Sequence, residues 1–254
     1  MKNVPIKSSI THIKPGEIKV RGALIQDLMG IHTFSEVIFL LLVGKLPNVH
    51  QARMLDAVLV SSVDHGVNAP SAFVARTVAS CGSPVQTCMA AGLSAVGEHH
   101  GGAGEACAQM LQEATQQNPD GNIEMIAENI VQEFVVNKKR LPGFGHRVHD
   151  PDPRTVRLFE LAEQEGFYGR YLNLMIAIQS QWVQQTGKTL PINVDGAIAA
   201  IISELGLDWQ LGKSIFIIAR SAGLAAHVHE QMSDGKPMQF APPVEILDEN
   251  LKAE

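Results

Sequence analysis

Two histidines and one aspartate stand in sequence settings that favour chemistry on a carbonyl compound. His100 precedes Gly101-Gly102 at a predicted helix start, where a bare backbone lets a ligand approach closely. His146 lies in a loop of small residues with cations nearby, and Asp195 lies in an apolar segment beside Gly196. A partly desolvated carboxylate is a stronger base. The set predicts two hydrogen-bond donors to oxygens that gain negative charge, and one base for an acidic C–H bond.

Arginines near these residues predict an anionic substrate. Arg154 follows His146 by eight residues, and Arg220 interrupts an apolar stretch near Gly223. A guanidinium group binds a carboxylate through two parallel hydrogen bonds. The alternative is a structural ion pair between Asp195 and Arg220, because a buried charge is costly unless it is paired. The sequence leaves both interpretations open.

The elements that must position these residues are predicted to be helices. Apolar periodicity, with capping residues at the ends, predicts helices over residues 37–43, 51–63, 84–96, 103–114, 123–137, 153–166, 170–186, 193–205 and 209–232. Strand-like alternation occurs only near residues 4–20. The chain is therefore predicted to be mostly α-helical.

The composition argues against several classes of protein. With 254 residues, 45% of them hydrophobic, the chain can bury a core, which excludes global disorder. A formal net charge of -6 argues against nucleic acid as the main partner, whereas a small anion needs only a local cluster of arginines. The longest apolar run, 37–43, is far shorter than the ~20 residues of a membrane helix. No secretory signal is visible, so a soluble cytoplasmic protein without a membrane partner is expected.

The cysteines and histidines do not match the common metal-site patterns. Cys81, Cys88 and Cys107 lack the C-x-x-C spacing and are predicted to be buried free thiols. The histidine pairs 99/100, 146/149 and 227/229 contain no H-E-x-x-H pattern, so no metal site is predicted. Nucleotide motifs also match poorly, because Val148 replaces the third glycine after Gly143 and Gly145.

Six segments, in order along the chain from about Val20 to about Pro237, resemble the citrate synthase superfamily. The first joins Val20-Arg21-Gly22 with Phe34–Pro47, and the other five are Asp64–Arg76, His100–Ala106, Pro142–Arg154, Asn193-Val194-Asp195 and Ala219–Gly223. The resemblance implies an all-α fold that forms a dimer to complete its sites. It implies a large helical domain of residues 1–100 and 199–254, and a smaller inserted helical domain of residues 101–198.

The resemblance also implies Claisen-type chemistry between acetyl-CoA and oxaloacetate. By motif match, Asp195 looks like the carboxylate that exchanges the acetyl methyl proton. His100 looks like the neutral donor to the thioester oxygen. His146 looks like the donor to the oxaloacetate ketone, or to the tertiary hydroxyl of citryl-CoA in the reverse direction. The implied dicarboxylate clamp is His65, Arg154 and Arg220, and the implied coenzyme A loop is Pro142, Gly143, Phe144, Gly145 and Arg147.

Two departures from the citrate synthase pattern favour a lyase. Only about twenty residues precede Arg21, whereas citrate synthases are considerably longer. Lys236-Pro237 stands where a partner-subunit arginine precedes a proline, and a lysine lacks the bidentate fork. The chain looks more like citryl-CoA lyase and the lyase module of ATP-citrate lyase.

The leading hypothesis is cleavage of citryl-CoA, or of a related 3-hydroxy-acyl-CoA, to acetyl-CoA and oxaloacetate. The CoA thioester and the dicarboxylate would be substrates, with no permanently bound cofactor, and the enzyme would be a homodimer or a higher homo-oligomer. A citrate or 2-methylcitrate synthase and a non-catalytic CoA- or dicarboxylate-binding protein are the alternatives. The sequence does not identify the acyl substrate, because one methyl group changes binding by only about 1–3 kcal/mol.

Overall fold

The computed structural model describes residues 7–145 and 151–239, and most of this part of the chain is helical. Its eleven α-helices are α1 (Ile25–Leu28), α2 (Phe34–Val43), α3 (Val49–Ser62), α4 (Pro70–Ser80), α5 (Val85–Ser94), α6 (Ala103–Gln117), α7 (Ile123–Val136), α8 (Pro153–Gln164), α9 (Arg170–Thr186), α10 (Val194–Glu204) and α11 (Gly212–Asp234). A 3₁₀ turn at Trp209–Leu211 leads directly into α11. The predicted all-α class is confirmed.

A small antiparallel sheet precedes the helices. Its strands are β1 (Thr11–Lys14), β2 (Glu17–Val20) and β3 (Ala23–Leu24), in the order β1-β2-β3. Val20 packs with Leu28 and Leu40 in a small apolar cluster, which holds β2 against the first helices. The part of the predicted alternation at residues 11–20 therefore corresponds to the hairpin of β1 and β2.

Capping residues set the starts of α2 and α3, which lie three and two residues before the predicted starts at 37 and 51. Thr33 and Glu36 form a capping box at the start of α2, and Gly44 ends that helix in the left-handed conformation. Asn48 and Gln51 form a second capping box at the start of α3. Such side chains satisfy the first backbone N–H groups of a helix, which have no partner within the helix.

Two of the described helices, α1 and α4, were not predicted from the sequence. The first is only four residues long. The buried face of α4 carries no large apolar side chain; its residues are Ser71, Ala72, Ala75, Arg76, Ala79 and Ser80. Its neighbour α5 approaches closely at Gly92, where an added Cβ would lie 2.8 Å from Ala75 Cβ.

The described residues group into two compact units. The first takes those of Met1–Val63 and Gly101–Ala219, and the second takes those of Asp64–His100 and Arg220–Glu254. Helix α10 is the most buried helix of the first unit, with nine of its eleven residues buried. The second unit has its own apolar cluster, in which Ala72, Cys88 and Leu224 are fully buried. The domain division 1–100, 101–198 and 199–254 stays a prediction.

The cysteine prediction is wrong at one position. Cys88 and Cys107 are buried free thiols, but Cys81 is exposed. Cys81 follows the end of α4 and precedes Gly82, so it lies in the turn between two helices rather than on a buried face. No helix in residues 7–145 and 151–239 combines the length and the apolar character needed to cross a membrane.

Candidate active site

Asp195 lies in the first turn of α10, where the helix end stabilises a carboxylate. The Asn193 side chain caps this helix by accepting a hydrogen bond from the Gly196 N–H at 3.1 Å. Gly104, in the first turn of α6, faces Asp195, because an added Cβ there would lie 3.9 Å from Asp195 Oδ1. The N-termini of two helices therefore lie near this carboxylate, and the positive ends of their dipoles favour its charged form.

The predicted coenzyme A loop is attached to the same helix end by backbone hydrogen bonds. Gly145 N–H donates to the Pro191 carbonyl at 2.7 Å, and Asn193 N–H donates to the Gly143 carbonyl at 3.1 Å. Phe144 and Ile192 form an antiparallel bridge between these two bonds. The loop residues 142–145 and residues 191–193 thus form a short two-stranded ladder in front of Asp195.

Glycine is required where the loop meets α10. A Cβ on Gly196 would lie 2.2 Å from the Gly143 carbonyl oxygen. A Cβ on Gly143, whose φ is +81°, would lie 2.6 Å from the Cys107 sulfur. Burial raises the pKa of the Cys107 thiol, and the nearby Asp195 carboxylate raises it further, so Cys107 is a neutral packing group. These contacts bring Gly143 and Asp195 together within one compact unit.

Arg154 is held by a carboxylate two residues before it. Its Nε and Nη2 atoms donate to the two oxygens of Asp152 at 3.1 and 2.8 Å, which is a bidentate pair. Asp152 is only 1% exposed and also caps α8 through the Arg154 N–H. The pair uses the Nε edge of the guanidinium and fixes its plane. The role of Arg154 as part of a dicarboxylate clamp stays a prediction.

His100, in the second compact unit, is held by the start of α4. Its Nε2 atom lies 2.9 Å from the Ser71 hydroxyl, and the Ser71 backbone N–H donates to the same nitrogen at 3.3 Å. This N–H belongs to the first turn of α4, where the helix itself supplies no acceptor. An Nε2 atom that accepts a backbone N–H carries no proton, so the neutral ring has its proton on Nδ1.

Arg220 completes this group of side chains. It is 3% exposed, and its Nη1 atom donates to the Ser71 oxygen at 3.3 Å, which orients the Ser71 hydroxyl hydrogen towards His100. Burial lowers the pKa of His100, and electrostatic interactions with Arg220 and with His65 lower it further. His100 is therefore neutral at pH 7, as the resemblance implied for a neutral hydrogen-bond donor.

The remaining predicted residues are placed as follows. His65 is exposed and lies before α4, where it is near enough to His100 to lower the pKa of the His100 ring. Lys236 is exposed, and its carbonyl oxygen accepts a hydrogen bond from Gln231 at 3.2 Å. His146 and Arg147 lie outside the described residues. Among residues 7–145 and 151–239, no group of three His, Cys, Asp or Glu side chains is arranged to hold a metal ion.

Three residues of this region escaped the sequence analysis as positioning groups. Ser71, Asp152 and Asn193 occurred there only within the segments that resemble the superfamily. The cap pattern Asn193-Val194-Asp195-Gly196 was the one available signal, since asparagine favours the position before a helix. Chemically, the first unit offers a carboxylate beside a glycine-lined loop, and the second offers a neutral imidazole N–H beside a buried guanidinium.

Comparison with known proteins places the chain in one family. The family model for the citrate synthase C-terminal domain matches residues 47–241. The solved structure of a citryl-CoA lyase from Hydrogenobacter thermophilus is 40% identical in sequence, with a TM-score of 0.86, and the match covers 97% of this chain and 99% of that one.

More distant matches agree in fold. An ATP citrate lyase from Methanothrix soehngenii, solved with citrate and coenzyme A, has a TM-score of 0.82 at 21% identity, over 100% of this chain and 44% of that chain. A citrate synthase from Deinococcus radiodurans is 34% identical over 77% of this chain and 52% of its own length. The chain thus spans about half the length of the curated relatives it matches. Since the family model covers most of the chain and the lyase match covers nearly all of it, the chain belongs to the citrate synthase family.

Proposed function

We propose that this protein is a citryl-CoA lyase that cleaves citryl-CoA to acetyl-CoA and oxaloacetate. The observation that carries the proposal is the match, at 40% identity, to a citryl-CoA lyase along almost the whole of both chains. A neutral His100 and a carboxylate at a helix start, Asp195, supply the two groups that enolate chemistry needs.

The reaction begins with loss of the proton from the tertiary hydroxyl of citryl-CoA. The alkoxide electrons form the ketone of oxaloacetate, and the bond between the hydroxyl-bearing carbon and the adjacent methylene breaks. The electron pair of that bond moves into the thioester, which becomes the enolate of acetyl-CoA. In this proposal His146 receives the hydroxyl proton, as the resemblance implied.

His100 and Asp195 act on the enolate. His100 donates its Nδ1 proton as a hydrogen bond to the enolate oxygen, because Ser71 occupies Nε2. A neutral donor suits this role, since its proton is shared rather than transferred. Asp195 takes up a proton from solvent, delivers it to the enolate carbon to complete the methyl group of acetyl-CoA, and returns to the charged form that the helix ends favour. One proton leaves the hydroxyl and one reaches carbon, so the reaction is balanced.

Arginines and the glycine-lined loop bind the rest of the substrate in this proposal. Arg220 and Arg154, with His65, bind the two carboxylates, and Asp152 fixes the plane of Arg154 for that purpose. The loop from Pro142 to Arg147 binds coenzyme A. The CoA thioester is itself the substrate, and no step calls for a bound cofactor.

The direct test is an assay with citryl-CoA. Oxaloacetate release would be followed with malate dehydrogenase and NADH, and free thiol would be followed separately. We expect oxaloacetate to appear without an equal amount of free thiol. Failure to cleave citryl-CoA or any related 3-hydroxy-acyl-CoA, with the fold intact, would refute the proposal.

The curated relatives favour a second candidate, a citrate or 2-methylcitrate synthase. Citrate synthase from Deinococcus radiodurans is 34% identical, and 2-methylcitrate synthase from Shewanella oneidensis is 29% identical. A synthase would release free CoA from oxaloacetate and acetyl-CoA or propionyl-CoA. Continuous release of thiol in that mixture would replace the lyase proposal with this one.

A homodimer is part of the proposal. Lys236 is exposed, and it lies where the superfamily resemblance implied a residue contributed to the partner's site. Light scattering after size exclusion is expected to give the mass of at least two chains. A strictly monomeric enzyme with full activity would rule this part out.

A further inference from the structure

Asn193 joins the loop 142–145 to the helix that carries Asp195 through its side-chain oxygen, its side-chain amide and its backbone N–H. We propose that Asn193 is a positioning residue that sets the place of this loop relative to Asp195. The inference deepens the proposed function, because it rests on the loop binding coenzyme A. It concerns geometry within one compact unit, so its central test does not need enzymatic turnover.

The hydrogen bonds of Asn193 point in two directions. Its Oδ1 atom accepts from Gly196 N–H at 3.1 Å and so caps α10. Its Nδ2 atom donates to the Gly145 carbonyl at 2.8 Å, and its backbone N–H donates to the Gly143 carbonyl at 3.1 Å. The Asn193 side chain therefore connects the first turn of α10 with Gly145, the last described residue of the loop.

The loop needs such a connection because of its own composition. Gly143 and Gly145 have φ values of +81° and +78°, and glycine has more backbone freedom in the unfolded chain than any other residue. The ladder with residues 191–193 fixes the loop through backbone bonds. The Asn193 amide adds a bond to the carbonyl of Gly145, the last described residue of the loop.

Other asparagine caps show that this arrangement goes beyond capping. Asn122 caps α7 by accepting hydrogen bonds from Glu124 and Met125 N–H at 2.7 and 3.3 Å. The described side-chain bonds of Asn122 thus stay within its own helix. Asn122 is therefore a matched control, because a serine at either position keeps a capping oxygen.

The test compares Asn193→Ser with Asn122→Ser by hydrogen exchange of the full-length protein. Serine is too short to reach the Gly145 carbonyl. We expect the Gly145 amide, which donates to Pro191, to exchange about tenfold faster in Asn193→Ser, as for the loss of one hydrogen bond. Amides within α10 should keep their protection, and Asn122→Ser should leave Gly145 unchanged.

Asn193→Asp adds a pH-dependent rescue. The introduced carboxylate cannot donate to the Gly145 carbonyl, but a protonated carboxyl group can. The ratio of exchange rates at Gly145, variant over wild type, should therefore be larger at pH 7 than at pH 3, because an aspartate side chain has a usual pKa of about 3.9 and is still ionised at pH 5. A loss of the cap alone would not produce this dependence at Gly145.

Coenzyme A binding gives the functional arm of the test. We expect Asn193→Ser to raise the Kd of CoA by about tenfold and Asn122→Ser to leave it unchanged. Unchanged exchange at Gly145 in both Asn193 variants would overturn the inference, as would loss of protection along the whole of α10. If the wild type neither binds CoA nor cleaves citryl-CoA, the proposed function fails, while exchange at Gly145 still decides whether Asn193 holds the loop.

Discussion

Asp195 and His100 are held by two different kinds of contact. Asp195 lies on a helix end where backbone atoms meet at Gly143 and Gly196, with almost no room for another atom. His100 lies in a turn closed by a bridge with Gly97, and its ring is held by the side chain and backbone of Ser71. We infer that the position of Asp195 depends on tight packing, whereas the position of the His100 ring depends on a few hydrogen bonds.

The difference suits the two proposed roles. A group that delivers a proton to carbon must meet one atom at one distance, and rigid packing provides that precision. A hydrogen-bond donor must carry the right tautomer and charge, which Ser71 and Arg220 control through His100. Mutations near Asp195 should therefore lower activity by changing the geometry of the carboxylate. Mutations near His100 should lower activity by changing the protonation of its ring.

The largest expected effect is that of Asp195→Asn. We expect turnover of citryl-CoA to fall by about 10²–10⁴-fold, the usual contribution of a positioned acid or base. The thermal unfolding temperature should stay near that of the wild type. The exposed Asp120→Asn is the control and should keep full activity. Loss of folding in Asp195→Asn would instead favour the structural ion pair with Arg220.

Gly143→Ala tests the tight packing around Asp195. The added methyl would meet Cys107 and Gly196 at a backbone conformation that favours glycine, so the free energy of unfolding should fall by about 3 kcal/mol. Gly30→Ala is the matched control, because Gly30 also has a positive φ but nothing within 4 Å of an added Cβ. Urea unfolding should show the smaller loss for Gly30→Ala. Equal losses would mean that the close approach contributes nothing.

Ser71→Ala tests the polar bonds that hold His100. The variant keeps the backbone N–H but removes the hydroxyl shared by His100 and Arg220, so turnover should fall by about tenfold. Ser94→Ala removes an exposed hydroxyl that bonds only within its own helix, and it should have no effect. Steady-state assays of both variants decide the point. Full activity of Ser71→Ala would show that the Ser71 hydroxyl does not contribute to turnover.

The smallest expected effect is the contribution of His100 to the pH dependence of stability. An unfolded His100 titrates near pH 6.5, whereas burial lowers its pKa in the folded protein. Between the two pKa values the unfolded state holds more protons, so the free energy of unfolding falls as the pH drops below 6.5.

This contribution should vanish in His100→Asn. Urea midpoints at pH 7.5 and pH 5 should therefore lie closer together in His100→Asn than in the wild type. His99→Asn, at the exposed neighbouring position, should keep the wild-type difference. An unchanged difference in His100→Asn would show that His100 is not held in its neutral form.

Local features of the sequence were sufficient to predict most of the helices. The start of α10 after Asn193 and the end of α9 before Gly187 follow from caps and apolar spacing, which act within a few residues. Helix α4 was not predicted, because its buried face carries alanine, serine and arginine rather than large apolar side chains. It packs closely against α5 at Gly92, and no local pattern reveals such a tertiary contact.

The residues of the candidate site also differ in whether the sequence could reveal them. His100, Asp195 and Arg220 stood out because polar residues beside glycines or inside apolar helices are unusual. The supporting residues did not stand out, because their partners are distant in sequence. Ser71 lies 29 residues before His100, and Gly143 meets Gly196 across more than fifty residues. No spacing rule links such pairs, so only the folded chain reveals them.

Cleavage of citryl-CoA in D₂O tests directly whether the protein forms oxaloacetate and protonates the enolate of acetyl-CoA. Mass spectrometry of the acetyl-CoA formed, together with a thiol assay, reports both the bond that breaks and the proton that is delivered. A citryl-CoA lyase should give one deuterium in the methyl group of each acetyl-CoA, an equal amount of oxaloacetate and no matching release of free CoA. Citrate and free CoA in place of these products would contradict it.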